Sequence, residues 1–348
     1  MHSERGDRDY AIIVTAHQET AFIPDVVNSL LNINYRNFKV YVVADDCIHS
    51  KDLEFNDPRV IVIFPEYVLA SNISSHFYAI SRFERKHDVM LIMDSDNLAD
   101  TELINELNVY FEKGFKAVQG VRNPKNLNST IACLDAARDI YYHFFDGKLL
   151  FDLGSSATLS GSGMAFEVVL YQQCLQDVNL KGAGFDKLLQ AKVLSLDERI
   201  AFSDKAIVLD QKTVNSKQLV NQRSRWIKTW FKFSKFGFSL ILKGIKNFSI
   251  NQILFGIILL RPPLFIFLGI SLLLVLTNIF INLSLAFVIV ISISIFTFSF
   301  FAALSNTQTD KKIYTALKYI PVFVFYQVVS LGKSFFLNKK NIATKHSQ

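Results

Sequence analysis

The chain has 348 residues, of which 50% are hydrophobic and 13% aromatic, and its formal net charge is +6. This length can hold one α/β domain of roughly 200 to 250 residues and a smaller module, and the composition is more apolar than a soluble enzyme of this size requires. The basic residues that follow Asp210 are interleaved with Phe, Trp, Leu and Ile. This pattern favours anionic membrane lipids over nucleic acid as the partner.

The first half of the sequence alternates short apolar runs with amphipathic segments. We expect strands at residues 11–15, 39–45, 60–64, 89–94 and 116–121. Helical patterns separate most of them, at residues 23–32, 71–85 and 101–112,. The alternation predicts an α/β fold with a doubly wound, mostly parallel sheet, whose ligands bind beyond the carboxyl ends of the strands.

Further helical patterns follow this alternation. They cover residues 129–145, 167–174, a stretch from 185 onward, and 218–242, with a Gly/Ser-rich segment at 154–163. The helix at 218–242 is amphipathic and basic, as expected next to a membrane surface.

No charged residue occurs between Arg261 and Asp310, a distance long enough for two spans of about 20 residues each,. Thr277, Asn278 and Asn282 give the polar break, so we place one span near 263–276 with its flank and the other near 285–304. Because Lys and Arg lie before the first span and after the second, both ends are expected in the cytoplasm. The stretches 251–260 and 319–336 are interpreted as interfacial helices, with a third span over 319–336 as the alternative.

These patterns divide the chain into four expected parts. They are a cytoplasmic α/β domain at 1–235, amphipathic interfacial helices at 236–262, a transmembrane hairpin at 263–305, and an interfacial helix with a basic tail at 306–348. Three cysteines without metal-type spacing indicate a reducing compartment, and the first ten residues contain no apolar segment of a secretory signal,. We therefore expect a multi-pass protein of the inner, cytoplasmic membrane.

Acidic residues follow three of the predicted strands. Asp94 and Asp96 in LIMDSDN point the same way from an extended chain and can hold Mg²⁺ or Mn²⁺ against a diphosphate; a chance surface pair is the alternative,. Asp45 in VVADDC can accept hydrogen bonds from a nucleobase or ribose, or cap the turn that follows. Glu19, just after the first strand, has the same two interpretations.

Two further elements combine small or acidic residues with a turn. Gly161, Ser162 and Gly163 in LSGSGMAF permit the close approach of a ligand to the backbone, or simply form a turn,. Asp186 in GAGFDKLL lies at the start of a predicted helix. Its carboxylate either interacts with the helix dipole or acts as a general base that takes a proton from an attacking hydroxyl.

The pentad QRSRW, residues 222–226, is the most specific element. On a helix, Gln222, Arg225 and Trp226 share one face. The Arg guanidinium can donate two parallel hydrogen bonds to a diphosphate, and Gln can form a neutral hydrogen bond. The flat face of Trp can stack on a sugar ring. The alternative is a basic amphipathic helix that buries Trp in the membrane while Arg reaches the surface.

The chain resembles the membrane-bound family 2 glycosyltransferases, which include the cellulose, chitin and hyaluronan synthases. The resemblance lies in an ordered set of segments followed by membrane helices: AHQET, VVADDC, DSDN, GSGMAF, GFDKLL and QRSRW. The resemblance implies a GT-A-type fold, a UDP-sugar donor, a divalent metal and an inverting transfer that forms a β-linkage. It makes Asp45 a contact of the uridine with Glu19 nearby, Asp94 a contact of the nucleotide, Asp96 the metal ligand and Asp186 the base. Residues 161–163 would lie beside the acceptor sugar, and Gln222, Arg225 and Trp226 would hold the diphosphate and the acceptor end.

Two departures from the family pattern leave alternatives open. GFDK lacks the Thr-Glu that usually precedes the aspartate, and the two clear spans are fewer than polymer-secreting synthases use. We expect a glycan acceptor and a role in surface polysaccharide synthesis, with a homo-oligomer or export proteins as further partners. A polyprenyl-phosphate or other lipid acceptor is the alternative, and a scaffold with a decayed transferase domain is the non-enzymatic one.

Overall fold

The computed structural model describes residues 7–178, 180 and 182–336, and within them one mixed sheet of eight strands organises the N-terminal part of the chain. The strands are β1 (Tyr10–His17), β2 (Phe38–Asp45), β3 (Val60–Ile63), β4 (Val89–Asp94), β5 (Leu98–Ala99), β6 (Ala117–Pro124), β7 (Met164–Glu167) and β8 (Ile200–Asp210). Their order is β3-β2-β1-β4-β7-β6-β8-β5; β1 to β4 are parallel, and β7 is antiparallel to both neighbours. The expected mostly parallel sheet is confirmed.

Helices cover both faces of this sheet, because β1, β2 and β4 are buried on both sides,. One face packs against α1 (Ile23–Leu31) and α3 (Leu103–Glu112). The other face packs against α2 (Asn72–Ile80), α6 (Val168–Leu175) and α7 (Phe185–Ser195). A slip of one residue would turn every side chain of a strand to the opposite face, so this two-sided burial fixes the register.

The register of the parallel strands brings the acidic strand ends to one edge. His17 pairs with Asp45 across β1 and β2, and Thr15 pairs with Asp94 across β1 and β4. Asp45 and Asp94 are the last residues of their strands, as predicted. The carboxyl edge of the sheet therefore carries both carboxylates.

Strands β5, β7 and β8 have no counterpart among the predicted elements. β8 is interrupted by exposed Asp204 and Lys205, and its pairing with β6 shifts register between Gly120 and Val121. At Gly120 a Cβ would lie 2.4 Å from the carbonyl oxygen of Ala206, so this close approach requires glycine,. The interruption breaks the apolar pattern that identifies a strand from sequence.

The helix predicted at 129–145 continues further than its pattern indicates. α4 (Thr130–Tyr142) runs into a π-helical segment (His143–Leu149) and then into the short α5 (Leu150–Asp152). A Cβ at Gly147 would lie 2.7 Å from the Phe202 ring, so the segment packs tightly on β8. π-Helical turns are frequent at functional sites.

The C-terminal part is helical. It comprises α8 (Ser216–Phe233), α9 (Phe236–Asn247), α10 (Ile250–Leu260), α11 (Leu264–Ile281), α12 (Leu283–Ser305), α13 (Lys311–Ala316) and α14 (Ile320–Phe336). The single helix predicted at 218–242 is thus two helices, with a break at 234–235. α9 and α10 pack closely, since a Cβ at Gly237 would lie 2.6 Å from the carbonyl oxygen of Gly256.

Three helical stretches in the described part are long and apolar enough to cross a membrane: Leu264–Ile281, Leu283–Ser305 and Lys311–Phe336, the last of which joins α13 and α14 through a 3-10 turn. The first two correspond to the predicted hairpin, and Asn282 alone joins them. The third includes the stretch 319–336 that we interpreted as interfacial, so the structure adds it to the candidates. Two expectations concern the chain ends: an N-terminus without a secretory signal and a basic C-terminal tail. They fall largely on residues 1–6 and 337–348, which lie outside the described residues.

Candidate active site

A cavity of about 930 Å³ opens at the carboxyl edge of the sheet and extends between the C-terminal helices. Such a volume lies at the upper end of the range for small-ligand sites. Most of the residues singled out from the sequence line it, and these are Glu19, Asp45, Asp94, Asp96, Gly161, Asp186, Gln222, Arg225 and Trp226. Segments that are far apart in the chain therefore meet in one place.

The end of β4 concentrates negative charge. Burial, together with the neighbouring carboxylates of Asp96, Asp210 and Asp186, raises the pKa of Asp94 to about 7 against the opposing charge of Arg122,. A bound cation would reverse this unfavourable crowding. The chemistry of Asp94 and Asp96 thus fits a hard divalent ion such as Mg²⁺ or Mn²⁺.

A metal held here would need ligands from outside the protein. Among the described residues, no group of three or more His, Cys, Asp or Glu side chains is arranged to hold a metal ion. Mg²⁺ commonly binds one or two carboxylates together with substrate phosphates and water. Asp96, together with Asp94, can serve such a substrate-completed site.

The turn after β4 is held from behind by Ser162. Its hydroxyl accepts a hydrogen bond from the backbone N–H of Asp94 at 3.0 Å. The Asn97 amide, oriented to accept from the Ser162 hydroxyl at 2.8 Å, donates to Asp96 Oδ1 at 2.9 Å and to Asp210 Oδ1 at 3.2 Å. This network fixes where the Asp96 carboxylate lies.

Of the three residues in the predicted Gly/Ser loop, only Gly161 is on the cavity wall. Ser162 is fully buried behind the β4 turn, and the carbonyl of Gly163 accepts from the Gly120 N–H at 2.8 Å within the sheet. We expected all three beside an acceptor sugar. The structure instead places Ser162 and Gly163 behind the wall, where they form hydrogen bonds to the β4 turn and to β6.

Asp45 lines the cavity but already has several hydrogen-bond partners. Its carboxylate accepts from the backbone N–H groups of Leu69 at 2.7 Å and Ala70 at 2.8 Å, and it contacts His17 Nδ1 at 2.8 Å. An ionised carboxylate offers about four lone-pair sites, so one remains. Glu19 is exposed on the same wall.

Asp186 lies in the first turn of α7, which begins at Phe185, where the sequence pattern predicts a helix start. The preceding Gly184 has φ of +100°, and a Cβ there would lie 2.6 Å from Thr229 of α8, so the turn packs closely on that helix. Lys187 Nζ lies 3.4 Å from the Asp186 carboxylate and donates to the Leu159 carbonyl at 3.0 Å. The carboxylate is thereby held at the cavity wall with 20% of its side chain exposed.

The pentad on α8 places Gln222, Arg225 and Trp226 on the cavity, together with Arg223. Arg223 is 3% exposed and forms an ion pair with Asp135 of α4. Its guanidinium lies 3.9 Å from the centre of the Trp226 ring, and that of Arg138 lies 4.6 Å away. The indole is therefore held by cationic groups, as cation–π contacts allow.

A buried ionic network between the sheet and α4 was not predicted. Arg122 forms an ion pair with Asp210 at 2.6 Å, and Lys212 contacts Asp210 at 2.7 Å and also pairs with Asp139. Burial alone would raise the pKa of Asp210, but Arg122 and Lys212 hold it below its ordinary value. Arg122 is a charged residue near the end of an apolar strand, as Asp94 is. This position at a strand end is the sequence signal that could have identified Arg122.

A sequence model of the family described as Glycosyltransferase like family 2 matches residues 7–229. The chain belongs to this family. The match ends inside α8, so it includes the sheet, the carboxylates and the pentad.

Solved structures of glycosyltransferases have a similar fold. The mannosyltransferase PcManGT from Pyrobaculum calidifontis, in complex with GDP-Man and Mn²⁺, aligns with a TM-score of 0.55 at 14% identity, over 94% of this chain and 87% of that one. S. aureus TarS 1-349 aligns with a TM-score of 0.44 at 17% identity, over 66% and 65% of the two chains, and its complex with UDP-GlcNAc aligns with 0.42 at 17% identity over 60% and 59%. No curated protein matches the chain significantly.

The family explains the arrangement of charges in this glycosyltransferase. Carboxylates converge at the carboxyl ends of the strands, the place where open α/β sheets bind their ligands,. Arginines line the side that faces the C-terminal helices. The fold is thus that of a GT-A glycosyltransferase core followed by helices that are long and apolar enough to span a membrane.

Proposed function

We propose that this chain transfers a sugar from a UDP-sugar to an acceptor at the cytoplasmic face of a membrane, with inversion and formation of a β-linkage. The single observation that carries the proposal is that Asp96, Asp186, Arg225 and Trp226 line one cavity at the carboxyl edge of the sheet. Residues 1–235 would form the catalytic domain, 236–262 the interfacial helices and 263–305 the membrane hairpin.

The reaction would be one in-line displacement at the anomeric carbon. An acceptor oxygen forms a bond to that carbon while the bond to the donor diphosphate breaks, and the nucleoside diphosphate leaves. Asp186 takes the proton of the attacking hydroxyl, since it is the partly exposed carboxylate at a helix start facing the cavity,. When bound, Mg²⁺ or Mn²⁺ at Asp96 and Asp94 would neutralise the leaving diphosphate.

Donor contacts would come from three elements. The remaining lone pair of Asp45 and the exposed Glu19 suit the nucleobase and ribose, although Asp45 also holds the 69–70 backbone. Arg225 and Gln222 suit the diphosphate, because Arg binds phosphate oxygens in a fork. The Gln222 amide nitrogen can donate to a phosphate oxygen, and its side-chain oxygen, which is buried without a hydrogen-bond partner among the described residues, can accept from a ligand hydroxyl,.

The resemblance and the charge distribution favour different acceptors. The pentad favours a growing glycan of a surface polysaccharide. The arginines next to membrane helices favour an acceptor attached to a lipid. Both classes require the same displacement chemistry.

A donor scan on membranes that contain the full chain tests the proposal. We expect release of UDP from one UDP-sugar in the presence of Mn²⁺ or Mg²⁺, measured by a coupled nucleotide assay. Membranes with the Asp96→Ala, Asp186→Asn double variant are the matched control and should release none. Release from GDP-mannose and not from any UDP-sugar would correct the donor, and no release from any nucleotide sugar would contradict the enzymatic function.

A further inference from the structure

One carboxylate on the cavity wall has an oxygen atom that no other group satisfies. Asp146 lies in the π-helical segment and lines the cavity with 6% of its side chain exposed. Its Oδ2 pairs with the guanidinium of Arg261, whereas its Oδ1 is buried without a hydrogen-bond partner. Within the described part of the chain, this is the only buried carboxylate oxygen in that state. Such an atom beside a cavity indicates a hydrogen-bond donor supplied by a ligand.

Packing from two sides fixes where the Asp146 side chain lies. The next residue, Gly147, packs on the Phe202 ring without room for a Cβ. The Asp146 carbonyl accepts a hydrogen bond from the Thr158 N–H at 2.9 Å. On the other side, Arg261 directly follows α10 and precedes the membrane hairpin. The carboxylate is thus held between the α/β domain and the start of α11.

Asp146 and the proposed base Asp186 are joined by a short series of polar contacts. Leu159, one residue beyond the bond to the Asp146 carbonyl, accepts from Lys187 Nζ at 3.0 Å, and that ammonium group lies 3.4 Å from the Asp186 carboxylate. Burial raises the pKa of Asp146, while the charges of Arg261 and Lys187 oppose this rise. The Lys187 charge is therefore close to both carboxylates, which places them at the same part of the cavity wall.

The charges around Asp146 identify the kind of group that its Oδ1 can bind. Arg261 already neutralises the carboxylate, so a second cation is not needed, and an anion would be repelled,. A neutral hydroxyl satisfies the oxygen, because it donates one hydrogen bond to a charged acceptor. Tyr142 gives the same wall a flat aromatic surface, with its ring centre 5.6 Å from the Arg261 guanidinium. A hydroxyl on a sugar ring fits both features.

We propose that Asp146 binds a second hydroxyl of the sugar acceptor and so determines which hydroxyl attacks the donor. This inference rests on the proposed function and adds a specificity-determining residue to it. The attacking oxygen bonds to the anomeric carbon, its proton goes to Asp186, and the bond to the donor diphosphate breaks. The hydroxyl on Asp146 keeps its proton throughout. Arg261 is a positioning residue, because it acts through Asp146.

Acceptor analogues that lack one hydroxyl test this contact. With the donor identified by the donor scan, we would measure transfer to the methyl glycosides of glucose, galactose, mannose and N-acetylglucosamine, and then to the monodeoxy forms of the best acceptor. Apart from the form that lacks the attacking hydroxyl, one deoxy form should lose about 10- to 100-fold in kcat/KM with wild-type protein, since a hydrogen bond to a charged group contributes that much.

The paired change Asp146→Leu with Arg261→Met removes the contact without leaving a buried charge unpaired,. The parent glycoside should then lose about 10- to 100-fold in kcat/KM, and the sensitive deoxy form should lose nothing further, because the two changes remove the same interaction. The paired change Lys148→Met with Asp152→Leu is the matched control. It removes an ion pair of 3.7 Å from the same helical region outside the cavity and should leave all values unchanged.

A second variant keeps the ion pair and therefore the fold. Asp146→Glu retains the charge but moves the oxygen by one methylene, so discrimination against the sensitive deoxy form should fall below about tenfold. Thermal unfolding of each variant shows whether it is folded before its kinetics are compared. Unchanged discrimination in both Asp146 variants would overturn the inference.

Hydrolysis of the donor without acceptor separates this inference from the proposed function. It should be equal in wild-type protein and in the Asp146 variants, because Asp146 acts on the acceptor alone. A wild-type chain that hydrolyses no nucleotide sugar contradicts the proposed function, and the glycosides are then titrated alone with the emission of Trp226 and Trp230, which line the cavity, as the readout. In either assay, a wild-type chain that recognises none of the glycosides, or equal losses for every deoxy form, would overturn the role of Asp146.

Discussion

The Ser162 hydroxyl accepts a hydrogen bond from the backbone N–H of Asp94 at 3.0 Å, and the two residues are 68 positions apart in the chain. The same hydroxyl contacts the Asn97 amide at 2.8 Å, so one buried side chain holds both ends of the turn that carries Asp96. Hydrogen bonds behind a metal ligand fix its orientation and tune its affinity. The Gly/Ser loop therefore supports the proposed metal ligand Asp96 from behind the cavity wall.

Ser162→Ala should weaken metal binding, and so raise the Mn²⁺ concentration that activity requires, without altering the cavity wall,. It leaves the Asp94 N–H unsatisfied, and loss of such a support typically costs about 10- to 100-fold in metal affinity. The measurement is nucleotide release as a function of Mn²⁺ concentration. Ser203→Ala is the control, because Ser203 is equally buried and accepts from the Ala206 N–H at 3.2 Å, outside the cavity. A similar shift in both variants would indicate general loosening of the fold.

Asp96→Asn should reduce nucleotide release by at least about 100-fold, because a metal that neutralises the leaving group is worth several kcal/mol. Chelation of wild-type protein with EDTA should have the same effect and be reversed by Mn²⁺. Asp100→Asn, four residues on, removes a carboxylate that accepts from the Glu102 N–H at 2.9 Å and does not line the cavity. That variant should keep its activity, and an equally active Asp96→Asn protein would contradict the metal assignment.

Asp186→Asn should slow transfer by about 10²- to 10⁴-fold while the donor still binds, because a general base acts on the acceptor proton. The rate is followed as formation of labelled product, and donor binding by calorimetry. Asp177→Asn, on the exposed turn after α6, is the matched control. Unchanged transfer in the Asp186 variant would assign the proton to another group.

Acid should destabilise the protein through Asp139. Burial would raise its pKa, but Arg138 and Lys212 hold it well below the ordinary value. A carboxylate with a depressed pKa stabilises the fold above its unfolded pKa of about 3.9, and this stability is lost as the pH falls below that value through the folded pKa.

The free energy of unfolding in detergent, followed between pH 7 and pH 2, checks this dependence. Asp139→Asn should cost up to about 3 to 5 kcal/mol near neutral pH and flatten the acid limb, because it leaves Arg138 and the buried Lys212 with one carboxylate partner each,. Asp204→Asn should change stability by less than about 1 kcal/mol, since that carboxylate is half exposed and 3.4 Å from Lys148,. An unaltered acid limb in the Asp139 variant would contradict the role of the network.

The elements that the sequence predicts well are those with local signals. β2 and β4 are continuous apolar runs that end in Asp45 and Asp94, and burial on both faces leaves little freedom in their register. The grouping of Asp96, Asp186 and the pentad around one cavity agrees with expectation. The roles of these residues remain predictions until the variants are measured.

The elements that the sequence does not predict depend on distant contacts. The break between α8 and α9 occurs at Ser234 and Lys235, which are not helix breakers, where Phe233 packs on the turn at Gly184 and stacks on Phe236. Asp210 meets Arg122 only because β8 pairs with β6 in register. Neither relationship has a period or a motif along the chain.

The connection between α11 and α12 consists of Asn282, whose side chain accepts from the Leu285 N–H at 3.1 Å and so starts the second helix as the first one ends. In the proposed membrane arrangement, this hairpin projects almost nothing beyond the lipid headgroups on its far side. External proteases and antibodies would find no epitope there. An affinity tag inserted at this connection would report the sidedness of the hairpin.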